Sequence, residues 1–132
     1  MDGIISWWEY VSSRWDIVLA TLTETLTYVV AVTVSAGFVA IVVGVATRNH
    51  PFAKELSLAI ASVFLTIPSL ALFTIFIPVV GLGFAPSFIA LFLYALLPIL
   101  RNTASGLDAV DPSVLESARG MGLTRFQVLL QV

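Results

Sequence analysis

Two stretches of this chain contain no Asp, Glu, Lys or Arg: one lies between Glu24 and Arg48, the other between Glu55 and Arg101. A helix needs about 20 predominantly apolar residues to cross a hydrocarbon layer roughly 30 Å thick. The first run suits one crossing; the second is too long for one and sufficient for two. Composition agrees: 59% of the residues are hydrophobic and only 11% are charged. A soluble domain is near half apolar and about a quarter charged. The expected fold class is therefore an all-α membrane protein, with a membrane region over 23–107 and spans over about 23–47, 56–79 and 86–104.

The N-terminal segment, 1–22, differs from these runs. Trp7, Trp8, Tyr10 and Trp15 are interspersed with Asp2, Glu9, Arg14 and Asp16. Indole and phenol rings favour the headgroup level, where an apolar body and a polar tip are both satisfied. An interfacial helix leading into the first span follows. Trp8 and Trp15 are a heptad apart and would share one face of it. An aromatic cage for a quaternary ammonium is the alternative use of such rings; anchoring is the commoner one. The segment lacks a basic start and an unbroken apolar stretch, so no cleaved signal peptide is expected.

Within the spans, Ala36, Ala40 and Gly44 recur every four residues. Small residues on one stripe let helix backbones approach closely, although small residues are also common in membrane helices generally. Pro68 sits in the middle of the second run, where it should bend the helix and free a carbonyl. Thr66 and Ser69 are placed to re-satisfy backbone groups there. Pro78 and the sequence GLGFAP at 81–86 make an uncharged turn, Pro86 suits the start of the third span, and Pro98 should bend its last turns. Pro68 and Pro98 are thus the candidate helix bends of the membrane region.

Basic residues set the expected orientation. Arg48 and Lys54 mark the 48–55 loop as cytoplasmic, as do Arg101, Arg119 and Arg125 for residues 101–132. The N-terminus and the glycine turn would face outside.

Residues 108–132 turn polar and are punctuated by glycine. Asp111 before Pro112 reads as an N-cap followed by proline at the first helical position; Ser113 with Glu116 is the competing capping box. The helix should stop near Gly120 and Gly122. Thr124 and Gln127 form another capping pattern, which opens a second, largely apolar helix. Two short helices with a glycine corner, tied to a span, suit mechanical contact with a soluble partner.

The motif ESARGMG within this unit resembles the EAA motif of ATP-binding-cassette transporter permeases, in which Glu-Ala-Ala is followed by three residues, Gly, nine residues and Ile-x-Leu-Pro. Glu116, Ala118 and Gly122 match, and Ser117 replaces the middle Ala. Val132 falls where the family has Ile, so the reading frame is expected to continue with one residue and then Leu-Pro. Together with IPSLAL and LLPILRNT, the motif makes residues 26–132 similar to permeases of osmoprotectant importers, those for glycine betaine, carnitine or choline. The match is densest from Thr66 onward.

The resemblance implies a partial type I importer permease fold in a bacterial inner or plasma membrane. It implies three kinds of protein partner: an ATP-binding subunit, an extracytoplasmic solute-binding protein or fused domain, and a second permease copy or homologue. Membrane lipid surrounds such a chain. The coupling residues it implies are Glu116, Ala118, Arg119, Gly120, Gly122 and Arg125. A permease for another solute, such as an amino acid, and a nontransporting membrane protein with partner-binding terminal helices are the alternatives.

Other chemistries find little support. No GxxxxGK[ST] sequence is present to cradle phosphate, so ATP would be bound by the partner and this chain would need no cofactor. With no cysteine and a single histidine, His50, no metal site or nucleophilic catalytic set is expected. A net charge of −2 gives no basic footprint for nucleic acid. The chain reads as a non-enzyme.

Overall fold

The computed structural model describes residues 2–131. Among these residues there are seven helices: α1 (Asp2–Ser13), α2 (Trp15–Thr47), α3 (Pro51–Thr66), α4 (Ser69–Val80), α5 (Phe84–Asp108), α6 (Pro112–Gly120) and α7 (Arg125–Gln131). α2 and α5 are each long and apolar enough to cross a membrane, and α3 with α4 qualifies jointly as one broken span.

The N-terminal segment is helical through Ser13. The helix breaks at Arg14, whose backbone leaves helical geometry, and α2 then runs unbroken from Trp15. No proline or glycine interrupts it before Gly37. Thr23, Thr25 and Thr27 bond back to the carbonyls of Leu19, Thr21 and Thr23, at 2.7–2.8 Å, so their hydroxyls do not compete with the helix. At 33 residues α2 is about 50 Å long, more than one hydrocarbon thickness. Trp8 and Trp15 therefore lie on different helices, yet both line a shallow hollow with Val11 and Ser12. Both rings are more than half exposed, so they do not enclose a cation. The Arg14 guanidinium instead sits 4.7 Å over the Tyr10 ring.

α5 is the central helix, packing along α2 and also against α3 and α4. The α2 face toward the core is Val32, Ala36, Ala40 and Gly44, the small-residue stripe with one residue added N-terminally. Ala36 and Ala40 are essentially inaccessible, whereas Val34, Phe38 and Val42 on other faces are half or more exposed, as lipid-facing residues should be. A Cβ on Gly44 would lie 2.7 Å from Thr103 Cγ2. That methyl is not free to swing away, because Thr103 Oγ1 is bonded to the Ile99 carbonyl at 2.8 Å. Gly44 is thus required by close approach. At the other end of α5, Phe84 packs on Tyr28 of α2 with ring centroids 4.5 Å apart.

The second apolar run is broken, not merely bent: α3 and α4 meet at 97°. Proline biases the residue before it away from helical ψ. Ile67 accordingly takes φ −79°, ψ 130° and Pro68 takes φ −56°, ψ 137°. Backbone polar groups at such an elbow must find partners within the protein. The Pro68 carbonyl receives Leu72 N at 3.0 Å, and the Thr66 hydroxyl bonds to the Val63 carbonyl at 2.7 Å. The Ile67 carbonyl receives the Tyr94 hydroxyl from α5. Pro98, one turn beyond Tyr94, is exposed, and α5 runs on through it as one helix. Gly81 and Gly83, with φ of 81° and 120°, then turn the chain from α4 into α5.

Two predictions use the absence of native cysteine, which allows spin labels to be placed at will. Gly44→Ala should cost about 1–3 kcal/mol through overpacking. SDS titration of the reconstituted chain, read by the distance between labels at Phe38 and Leu91, should show α2 and α5 separating at lower detergent. Gly37→Ala, with nothing within 4 Å of its added carbon, should not shift the curve. Tyr94→Phe leaves the Ile67 carbonyl without its partner, a loss of about 1–3 kcal/mol. The distance distribution between labels at Val63 and Ile75, across the elbow, should broaden; an unchanged distribution would show that Tyr94 does not hold the angle.

Candidate coupling site

α6 starts because Asp111 caps it. Its carboxylate accepts Ser113 N–H at 2.8 Å, and Pro112 occupies the first helical position. Those hydrogen bonds from Ser113 hold the Asp111 carboxyl below its ordinary value of 3.8. A lowered folded pKa means that this cap stabilises α6 above pH 3.8, and the contribution disappears as pH falls through the folded value. Because Asp111 takes the Ser113 N–H, the competing Ser113/Glu116 box does not form. Glu116 is exposed and has no capping duty.

The helix ends in a Schellman motif. Gly122 N–H bonds to the Arg119 carbonyl at 2.9 Å and Leu123 N–H to the Ala118 carbonyl at 3.2 Å. Gly122 has φ +82°, whereas Gly120 remains the last helical residue with no positive φ. The left-handed position is therefore Gly122 alone. A Cβ on Gly122 would meet nothing within 4 Å, so backbone conformation and not space requires glycine there. α7 then opens on a reciprocal capping box: Gln127 Oε1 accepts Thr124 N–H at 2.8 Å, and Thr124 Oγ1 accepts Gln127 N–H at 3.3 Å.

Apart from Gly122, the expected coupling residues separate into three groups. Ala118 is only 2% exposed and serves the corner from inside, through packing and its carbonyl. Glu116 and Gly120 are on the surface with Val114, Met121 and Phe126, three apolar residues left uncovered. Arg119 and Arg125, on either side of the corner, line a cleft of about 550 Å³ shared with Arg48 and Asp108. Pro68 and Pro98 belong to neither the corner nor the cleft; Tyr94, bonded to the carbonyl before Pro68, connects their two helices. Val132, which falls at the motif's Ile position, lies outside the described residues.

One feature of this region had no signal in the sequence. Lys54 Nζ lies 2.7 Å from Asp108 Oδ2, joining the first turn of α3 to the last turn of α5. The two residues are 54 positions apart, and no local spacing marks them as partners. Among the described residues, α6 and α7 make their helix-to-helix contacts only with each other. The corner is thus a small unit at the end of α5, joined to it by Ala109, Val110 and Asp111.

Comparison with known proteins matches residues 36–132 to the family described as the binding-protein-dependent transport system inner membrane component. The chain is 45% identical over 94 residues to the carnitine transport permease protein OpuCB of Listeria monocytogenes, covering 71% of this chain and 43% of that protein. It is 40% identical over 117 residues to the osmoprotectant import permease protein OsmW of Salmonella typhimurium, covering 84% and 54%. With the choline transport system permease protein OpuBB of Bacillus subtilis it shares 41% identity over 86 residues, 65% of this chain and 40% of the relative. The chain spans about half the length of the curated relatives it matches, or somewhat less. No solved structure matches it. With 97 of 132 residues inside the family match, and a membrane-suited helical fold around it, the chain belongs to the inner-membrane components of binding-protein-dependent transport systems.

Proposed function

We propose that this chain is part of the permease of an ATP-binding-cassette importer for a compatible solute such as glycine betaine, choline or carnitine. A partner subunit hydrolyses ATP, and the α6–α7 corner receives its movement and passes it to the membrane helices. The observation that carries this reading is the exposed Glu116: with Asp111 capping α6, the motif glutamate is released for contact with a partner. Val114, Met121 and Phe126 supply apolar surface beside it. The relatives' names support the class of solute.

In this reading the chain performs no chemistry itself, and ATP is held elsewhere. An extracytoplasmic solute-binding protein delivers the solute, and a second permease copy or homologue completes the pathway. The chain sits in a bacterial inner membrane with residues 108–132 as its cytoplasmic coupling segment. The arrangement is that of a type I importer permease, and the elbow at Pro68 lies within the membrane region.

Orientation is tested with single cysteines at Ser12, Asn49, Leu82 and Ser105 and an impermeant thiol reagent. In intact cells Ser12 and Leu82 positions should label, and Asn49 and Ser105 positions should not. This pattern requires the broken α3–α4 pair to cross the membrane. Equal labelling behaviour at Asn49 and Leu82 would mean that the pair re-enters on one side, which would overturn the topology.

Coupling is tested in the complete permease with its ATP-binding partner. Gly122→Val forces a β-branched residue into left-handed geometry, at about 1–2 kcal/mol or more. Solute-stimulated ATP hydrolysis and uptake should fall together at matched membrane abundance. Gly106→Ala, at a helical position of α5 with nothing within 4 Å of the added carbon, should leave both intact. Glu116→Gln removes a charge that makes no cap, so a loss of coupling assigns Glu116 to the partner contact. Normal uptake in both Gly122→Val and Glu116→Gln would reject the coupling role of residues 111–131.

A further inference from the structure

The cleft beside the corner concentrates positive charge without an acidic partner to balance it. Arg48 follows the last residue of α2, Arg119 lies at the end of α6, and Arg125 opens α7; all three line the same space of about 550 Å³. Asp108 also lines it, but its carboxylate is already held 2.7 Å from Lys54 Nζ, so that pair is neutral as a unit. Three guanidinium groups remain. Like charges gathered around one cleft repel each other, and a bound anion relieves the repulsion. The planar guanidinium fork favours phosphate in particular.

The rest of the wall narrows the choice. Leu123 and Val128 line the cleft, both partly buried, and would remain uncovered beneath a small inorganic anion. Arg48, Asn49, Leu107 and Asp108 line the cleft, immediately at the ends of the two helices that suit a membrane crossing. That is the level of lipid headgroups, where basic pockets beside membrane helices recruit anionic lipid. Its volume lies within the range of small-molecule sites.

We propose that this cleft binds one anionic phospholipid, with the phosphate among Arg48, Arg119 and Arg125 and the glycerol and first methylenes against Leu123 and Val128. The lipid would bridge the end of α2 to the corner, fastening at the membrane surface a unit whose own helix contacts are internal. The proposal rests on membrane location and the geometry of the cleft, and is independent of which solute the transporter carries.

The chain is reconstituted in nanodiscs with equal phosphatidylglycerol and phosphatidylcholine, extracted into mild detergent, and its retained lipid counted by native mass spectrometry. One phosphatidylglycerol should be retained in preference to phosphatidylcholine. Each arginine near the surface contributes about fivefold, so Arg48→Gln, Arg119→Gln and Arg125→Gln combined should lower the preference about a hundredfold. The single variants give fivefold steps, and unchanged helix content verifies their fold. Arg101→Gln, outside the cleft, should retain the full preference. Equal retention of the two lipids, or a preference that survives the triple substitution, overturns the proposal. Displacement of the lipid by millimolar inorganic phosphate would assign the cleft to a free anion, and displacement by the purified ATP-binding partner would assign it to a protein contact; either result removes the lipid assignment.

Discussion

The close approach of α2 and α5 sets where every other described membrane helix can sit. It depends on having no side chain at Gly44 and almost none at Ala36 and Ala40, all three of which are buried. In lipid, helices gain little by hiding apolar surface from one another, since lipid tails are equally apolar; close packing and hydrogen bonds must hold them. Once α5 lies on this seam, its other faces meet α3 and α4. Leu97 and Leu100 of α5 complete a core with Ala40 and Ala61, Tyr94 reaches the elbow carbonyl, and Asp108 reaches Lys54.

This arrangement gives α5 contact with the elbow and a direct connection to the corner. At one point it touches the break between α3 and α4, through a single hydroxyl. At its end it leads through three residues into the α6–α7 corner. The Asp111 cap, the Schellman bonds and the Thr124/Gln127 box hold both ends of α6 and the start of α7 locally. A push on such a unit passes, in the proposed coupling, to α5 through Ala109, Val110 and Asp111. In the proposed coupling, the elbow is where the delivered movement changes the membrane region.

Much of this was legible in the sequence because it is encoded locally. Charge-free runs marked the apolar helices, and four-residue spacing marked the buried seam of α2. Cap residues and the Gly120/Gly122 pair marked the limits of α6 and the start of α7. Spacing left open whether Asp111 or Ser113 capped α6, and the bond to Ser113 N–H settles that choice. The expected bend at Pro68 is present, as a 97° break, and the hydrogen bond from Tyr94 to the Ile67 carbonyl beside it spans 27 residues. The Lys54–Asp108 pair and the meeting of Arg48 with Arg119 and Arg125 are likewise long-range, and single-sequence patterns carry no signal for them. The helix break at Arg14 likewise has no local signal, since no proline or glycine stands there.

The central claim is that the corner at the end of α5 is the surface through which an ATP-binding partner acts. Its most direct measurement is site-specific photo-crosslinking in the complete transporter, with a benzophenone amino acid at Met121, which is 75% exposed on the corner, or at Leu70, which is 77% exposed beside the elbow. The account predicts a crosslink to the ATP-binding partner from Met121 and none from Leu70. Absence of a Met121 crosslink, or equal crosslinking from both positions, would contradict it.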